Sequence, residues 1–284
     1  MSIPKPESYR LPTADELPDN KVKWAFEPGR AALLIHDMQN YFLRFWEEDS
    51  ALVREVIGNI ARLRTQCKAL GIPVFYTAQP AEQSEKDRAL LNDMWGPGLN
   101  RHPEQQRVVD GLTPEADDIV LTKWRYSAFH RSPLEQQLHD MGRDQLIITG
   151  VYAHIGCLTT ATDAFMRDIK PFMVADALAD FTREEHMMAL KYTAGRCGKV
   201  VRCEDLLILP ESKAALRMLV LSLLEDDDIP EDDENLIDYG LDSVRMMALA
   251  GRWRQAVPAI DFVALAKNAS IDGWWALLSQ GKTQ

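Results

Sequence analysis

Apolar and polar positions fall into blocks whose period alternates along most of this chain. Residues 30–37, 73–78, 118–123, 145–150, 170–176 and 199–202 are short, near-continuous apolar runs, and each reads as a buried strand. Between them the period changes to that of a helix. Leu52, Val56, Ile60, Leu63, Cys67 and Leu70 mark one face of an amphipathic helix over residues 50–70. Ser132-Pro133-Leu134-Glu135 supplies an N-cap, a proline at the first helical position and an acid, which starts a helix reaching about Met141. Residues 156–167 read as another helix, and Thr182 with Glu185 predicts a capping box before a helix ending at Ala194. A helical turn is expected around Arg88, and NDMWGPG, residues 92–98, reads as a loop. Strands alternating with helices in this way predict an α/β fold, an open six-stranded parallel sheet with helices on both faces.

The pattern changes after Pro210. Residues 212–224 keep helical spacing, Val244, Met247, Leu249, Ala250 and Trp253 mark a second helix, and residues 261–266 and 271–278 give two more. No strand is needed, so a small all-α bundle of four helices follows the sheet. The implied organisation is a domain over residues 1–205, a linker at 206–211 and a bundle over 212–284. A chain of 284 residues is long enough for both parts to bury a core.

Composition narrows the setting. With 46% hydrophobic and 26% charged residues the chain reads as a soluble globular protein. No apolar run reaches the roughly 18 residues of a membrane span, and the start, MSIPKPESYR, lacks an apolar signal core, so a cytoplasmic protein is expected. Cys67, Cys157, Cys197 and Cys203 form no CxxC pair and are expected to be reduced, mostly buried thiols. His36, His130 and His154 have no ligand-spaced partner and there is no GxSxG elbow, which assigns these histidines to packing or hydrogen bonding. The net charge of −11 is concentrated in residues 225–234, EDDDIPEDDE. Without a basic face, nucleic acid is not an expected partner, whereas a small anion held by a few local cations is.

Strand ends carry the candidate chemistry. Asp37, Gln79, Lys123 and the turn 150–156 all follow apolar runs, and open α/β sheets gather such positions around one crevice. Taken alone, Asp37 is equally a helix cap or a surface turn acid; for Asp37 with Lys123 a structural ion pair is the competing reading, and the functional one is the stronger because both follow apolar strands instead of sitting on solvated helix faces.

The segments LLIHDMQNYF (33–42), KWRYSAF (123–129) and TGVYAHIGCLTTATDAF (149–165) resemble the signature segments of the isochorismatase-like, or cysteine hydrolase, superfamily. In its amidases the resemblance implies a catalytic Asp, Lys and nucleophilic Cys. Here Gly156 stands at the cysteine position and Cys157 falls one residue later, about 100° around a helix. An amidase requires a nucleophile; hydrolysis of a vinyl ether does not. The resemblance therefore points to the isochorismatase branch, which converts isochorismate and water to 2,3-dihydro-2,3-dihydroxybenzoate and pyruvate. It implies Asp37 as proton donor, with Lys123 and Gly156 completing the catalytic set. Lys123 and Arg88 are candidates for the substrate carboxylates and Gln79 for a hydroxyl or carboxylate. Phe42, Trp95, Tyr126, Phe129, Tyr152 and Ile155 are candidate apolar walls, with Gly156 leaving room for a ring. A cis peptide at Val151-Tyr152 is also implied. An inactive scaffold and an amidase using Cys157 are the alternatives.

In the bundle, DYGLDSVRMMAL (238–249) sets Ser243 at a helix start, where a plain N-cap is the competing reading. An acidic helical bundle with this motif resembles acyl and peptidyl carrier domains. That implies 4′-phosphopantetheine on Ser243, with Asp242 helping to hold the Mg²⁺ of a phosphopantetheinyl transferase. Met247, Phe262 and Ala266 form a candidate partner face, with bundle core as the competing assignment. Together the two parts resemble the bifunctional isochorismatase and aryl carrier family of enterobactin-type catechol siderophore synthesis. Its members imply a homodimer or higher homo-oligomer, a 2,3-dihydroxybenzoate-AMP ligase and a nonribosomal peptide synthetase as partners. Whether the carrier takes 2,3-dihydroxybenzoate or salicylate is open at this level.

Overall fold

The computed structural model describes residues 5–210, 212–224, 229–254 and 256–280. Residue 211 of the expected linker, 225–228 of the acidic segment and 281–284 of the expected bundle lie outside the described residues. The chain divides into two compact units, Met1–Leu206 and Leu207–Gln284. No helix among the described residues is long and apolar enough to cross a membrane.

In the first unit, β1 (Ala31–His36), β2 (Val74–Ala78), β3 (Ile119–Thr122), β4 (Gln145–Val151), β5 (Lys170–Ala179) and β6 (Lys199–Val201) form one sheet in the order β3-β2-β1-β4-β5-β6. Every pairing is parallel, as the apolar runs require. The central strands β1 and β4 are buried along their whole length, whereas the edge strand β3 leaves Val120 53% exposed. Ala32, Leu34, Phe75 and Ile148 pack with Leu134, Leu138, Ala161, Ala164, Ala189 and Leu190 from three helices, Leu134–Asp140, Leu158–Met166 and Arg183–Tyr192. The intervening side chains Leu33, Ile35 and Ile147 are also fully buried, and the helix Ala51–Ala69 lies across β1, β2, β4 and β5. Helices thus cover both faces.

Several boundaries differ from the sequence expectation. The helix after Ser132 begins at Leu134 with Pro133 in the cap position, although Ser132 Oγ still accepts from Leu134 N at 3.2 Å. The helix expected over 156–167 opens earlier as a wide π-helical turn, Ala153–Cys157, before Leu158–Met166. Residues 92–98 are not all loop, since Leu91–Trp95 and Gly98–Arg101 are helical turns. β5 runs to Ala179, because its pairing with β4 jumps from Ile148↔Met173 to Gly150↔Leu178, a bulge that adds length to β5 alone.

The second unit contains four α-helices among the described residues, Lys213–Leu221, Ser243–Trp253, Phe262–Lys267 and Ile271–Gln280, and no strand. Trp253 and Trp274 meet edge to face at 5.6 Å in a core shared with Leu216, Leu236, Leu249 and Leu265. Met246, Leu249, Ala250 and Trp253 form the inward stripe of their helix, whereas Val244 and Met247, counted in the apolar pattern, face solvent.

Candidate active site

β1 lies between β2 and β4, so the chain leaves the sheet in different directions on either side of the β1/β4 junction. A crevice opens there beyond the carboxyl ends of the strands. Asp37 turns out of β1 with φ +50°, a left-handed conformation that aspartate tolerates better than most residues. The carboxylate is 6% exposed: Oδ2 accepts from Lys123 Nζ at 3.0 Å and Oδ1 from Thr77 Oγ1 at 2.6 Å. Thr77 Oγ1 in turn accepts from Asp37 N at 3.1 Å. Lys123 is 3% exposed just beyond β3. Neither a helix cap nor a surface turn acid describes Asp37, because two donors from two strands fix its plane inside the crevice.

The crevice, about 540 Å³, brings together Asp37, Lys123, Gly156, Gln79, Arg88, Phe42, Trp95, Tyr126, Tyr152 and Ile155. Phe129 is a correction: it belongs to the sheet core, with the Arg167 guanidinium 5.1 Å above its ring. The Val151-Tyr152 peptide is cis.

Arg88 is almost fully buried, and its Nε donates to Gly96 O at 2.6 Å while Nη1 donates to Gln83 Oε1 at 3.2 Å. Gly98, at φ +57°, lets the loop close over this guanidinium; a Cβ there would sit 2.7 Å from Cζ. Burial pulls the Arg88 pKa down, and no ion-pair partner for it exists among the described residues. The Gln39 amide brackets the Gln79 backbone, accepting from Gln79 N at 2.8 Å and donating to Gln79 O at 2.9 Å, so the Gln79 side chain faces the crevice on a fixed backbone. Trp95 Nε1 donates to Tyr126 OH at 2.9 Å, and Tyr152 OH donates to Phe42 O at 2.7 Å. Burial holds the Tyr152 phenol well above its ordinary pKa.

Gly156 lines the crevice, whereas Cys157 is fully buried in the core and burial pushes its thiol well above the ordinary range. A Cβ on Gly156 would strike the His36 imidazole. His36 Nδ1 lies 2.8 Å from Val151 O, and burial, helped by Lys123, lowers its pKa to about 4. His154 bonds Asp180 through Nδ1 at 2.7 Å and through its backbone N at 2.6 Å. His130, by contrast, is exposed, so packing does not describe it. All four cysteines are free and buried.

Sequence reasoning missed His36, Tyr41, Leu91, Val151 and Phe181 on the crevice wall, and Thr77 and Gln39 behind it. Phe181 was out of reach because the β5 bulge moves the strand end past residue 176. Thr77 carried a signal: a hydroxyl amid the apolar run 73–78, next to an acid-tipped strand.

In the second unit Asp242 is the N-cap, accepting from Arg245 N at 2.7 Å, and Ser243 stands exposed at the first helical position. The cap reading of Ser243 is therefore displaced by its neighbour. Met247 is 52% and Phe262 37% exposed, but Ala266 is half-buried and packs on the bundle core, a correction to its place on a free face. The 3.6-residue period puts it beside inward-facing Leu265. Among the described residues, His154, Asp180 and Glu185 form a metal-competent cluster.

Residues 31–205 match the isochorismatase domain model and residues 214–278 the phosphopantetheine attachment site model. The chain is 70% identical over 282 residues to enterobactin synthase component B of Escherichia coli (strain K12), covering 99% of each. It is 48% identical over 306 residues to an isochorismatase of Bacillus subtilis (strain 168), covering 100% of this chain and 97% of that one. A cysteine hydrolase structure from Pseudomonas syringae pv. phaseolicola 1448A superposes with a TM-score of 0.59 at 23% identity, covering 70% of this chain and 96% of its own, a likeness of fold. The chain thus belongs to the isochorismatase family, with a phosphopantetheine attachment domain following the hydrolase domain.

Proposed function

We propose that the first unit hydrolyses the vinyl ether of isochorismate to 2,3-dihydro-2,3-dihydroxybenzoate and pyruvate, and that the second carries a 2,3-dihydroxybenzoyl thioester for assembly of an enterobactin-type catechol siderophore. Asp37 gives its proton to the methylene carbon, and the enol-ether oxygen stabilises the resulting cation. Water adds to that cation and returns a proton to the Asp37 carboxylate. The hemiketal then collapses, its carbon–oxygen bond breaking with a proton to the departing ring hydroxyl. Lys123 and Thr77 donate to the Asp37 carboxyl group and fix its plane within the crevice. Arg88 and Lys123 receive the substrate carboxylates, Gln79 a hydroxyl or carboxylate, and Phe42, Trp95, Tyr126, Tyr152 and Ile155 exclude water from the cation.

The observation that carries this reading is an acid and a buried, carboxylate-free guanidinium sharing a crevice in which Gly156 replaces the nucleophile and Cys157 points into the core. Pyruvate release from isochorismate, coupled to NADH oxidation, tests it: enzyme-dependent pyruvate is expected, and none overturns it in favour of an inactive scaffold. Cys157→Ala is expected to leave the rate unchanged; a lost rate would bring back the amidase alternative.

Ser243 is proposed as the attachment point of 4′-phosphopantetheine, which supplies a thiol on a flexible arm. Its exposure beside an occupied cap fits that role. The Mg²⁺ of the attachment reaction belongs to the phosphopantetheinyl transferase, with Asp242 near it. A 2,3-dihydroxybenzoate-AMP ligase loads the arm and a nonribosomal peptide synthetase unloads it, with Met247 and Phe262 on the recognised face. The first unit is proposed to pair as a homodimer, in a cytoplasmic protein. One prosthetic group by intact mass on the wild type and none on Ser243→Ala is the expected result; equal modification removes Ser243.

A further inference from the structure

We propose that His36 is the residue that forecloses nucleophilic chemistry in the first unit: its imidazole stands in the volume that any side chain on residue 156 would need. A Cβ built on Gly156 would lie 2.8 Å from His36 Nε2 and closer still to Cε1, nearer than real Cβ atoms approach a neighbour. Backbone conformation does not demand glycine there, because Gly156 is absent from the left-handed glycines among the described residues. The exclusion is therefore a matter of one neighbouring ring.

That ring has little freedom to retreat. His36 is fully buried at the last position of β1, in register with Thr77 on one side and Gly150 on the other. Gly150 presses so closely that a Cβ there would lie 2.8 Å from His36 N and nearer its carbonyl. The imidazole is held edgewise between Val151 O, 2.8 Å from Nδ1, and Tyr126 O, 3.4 Å from Nε2. A carbonyl only accepts and the neutral ring has one N–H, so the shorter contact assigns the proton to Nδ1, which donates to Val151 O. The turn at Val151 is thus tied to the end of β1 through this side chain, whose Nδ1 lies 3.7 Å from Asp37 Oδ2.

His36 and Gly156 are consequently a reciprocal pair. With the ring in place, the crevice keeps its proton donor, its ammonium and its guanidinium but cannot hold a thiol beside them. With the ring removed, residue 156 regains room for a side chain facing Asp37 and Lys123. This makes His36 a specificity-determining residue between vinyl-ether and acyl-transfer chemistry. That last step rests on the isochorismatase reading above; the steric exclusion does not.

The test is a double-mutant cycle on the full chain with Gly156→Ala, His36→Ala and the pair. In the wild-type background, Gly156→Ala is expected to lower the melting temperature by at least about 3 °C, the scale of an overpacked methyl, and to cut pyruvate release at least about tenfold. In the His36→Ala background the same change should cost less than about a third of that shift. Equal shifts in both backgrounds, or an unaltered Gly156→Ala protein, overturn the proposal. Should Gly156→Ala not accumulate folded, recovery by the pair supports it and failure to recover overturns it. Alkylation by iodoacetamide supplies a readout independent of substrate, since all four natural cysteines are buried. His36→Ala/Gly156→Cys should gain one adduct at least tenfold faster than Gly156→Cys alone, and equal rates speak against the pair. Wild-type pyruvate release separates the two claims: coupling without it condemns the isochorismatase reading, and pyruvate without coupling condemns the role of His36.

Discussion

The two units place their working residues in opposite environments. In the first, Asp37, Lys123 and Arg88 are nearly inaccessible, and each polar atom named in the site has a partner assigned by the sheet or its loops. In the second, Ser243 is exposed and needs nothing from the bundle except that Asp242 cap the helix beside it. Burial strengthens electrostatic interactions and makes them specific, but it ties chemistry to folding, since an unpaired buried group costs stability. An exposed serine has no such tie. Mutations should therefore act through chemistry and packing together in the first unit, and through chemistry alone at Ser243.

Asp37→Asn is the strongest way to break this contrast. It keeps the shape and removes the proton donor, so pyruvate release should fall about 10³-fold, within the range for loss of a general acid. Modification of Ser243, followed by intact mass, should be unchanged; retained hydrolysis would take Asp37 out of the mechanism. Arg88→Met comes next. Loss of a charge-assisted contact of about 1.5–3 kcal/mol should raise KM for isochorismate roughly 10- to 100-fold with a smaller change in kcat. A pure kcat effect would assign Arg88 to positioning and not to substrate charge. Thr77→Val sharpens the picture further. It removes the hydroxyl on Asp37 Oδ1 while Lys123 remains, which should lower kcat about tenfold, or ~1.4 kcal/mol, and leave KM near its starting value.

How much of this was legible in the sequence follows the same division. Apolar period gave the parallel sheet, and the polar residues ending its runs gave Asp37, Gln79 and Lys123, because a strand end is where a side chain leaves the core. His36 was not legible as a site residue, because it lies within a strand and its role depends on register across β1, β2 and β4, and Thr77 left only a hydroxyl amid an apolar run as its signal. Phe181 was hidden by a bulge, which no local pattern announces. Phe129 was misplaced for the converse reason, since an aromatic near a strand end serves the core as readily as a wall. In the second unit the spacing could not separate a cap from an attachment point at residues 242 and 243. One hydrogen bond, from Arg245 N to Asp242 Oδ1, assigns the cap to Asp242.

A difference spread over the whole of each unit is expected in their response to acid. All six histidines lie at or before residue 186, so the second unit has none. Burial holds His36 neutral, with a pKa near 4, and His186 likewise, near 3, against a free value near 6.5. Below pH 6.5 the unfolded chain takes up protons that the fold refuses, so stability conferred by these two groups is lost as pH falls from about 6.5 toward 4. His154 works against them: burial lowers its pKa but the Asp180 bond more than offsets that, so its contribution is present at low pH and lost as pH rises. Below pH 6.5 His154 is protonated in both states and adds no slope, so the first unit should weaken by at most about 2.7 kcal/mol per pH unit across this window. In the second unit Asp232, held down by Lys213, and Glu234, held down by Tyr239, lose their contribution only below the ordinary carboxylate range near pH 4. Hydrogen exchange on the full chain at pH 7, 6 and 5, corrected for intrinsic rates and read peptide by peptide, should show protection falling in the strands of the first unit and steady in the helices around Trp253 and Trp274. Equal losses in both units would mean that the buried histidines do not set the difference, and His186→Gln, which removes one of the two, should then leave the slope unaltered instead of reducing it.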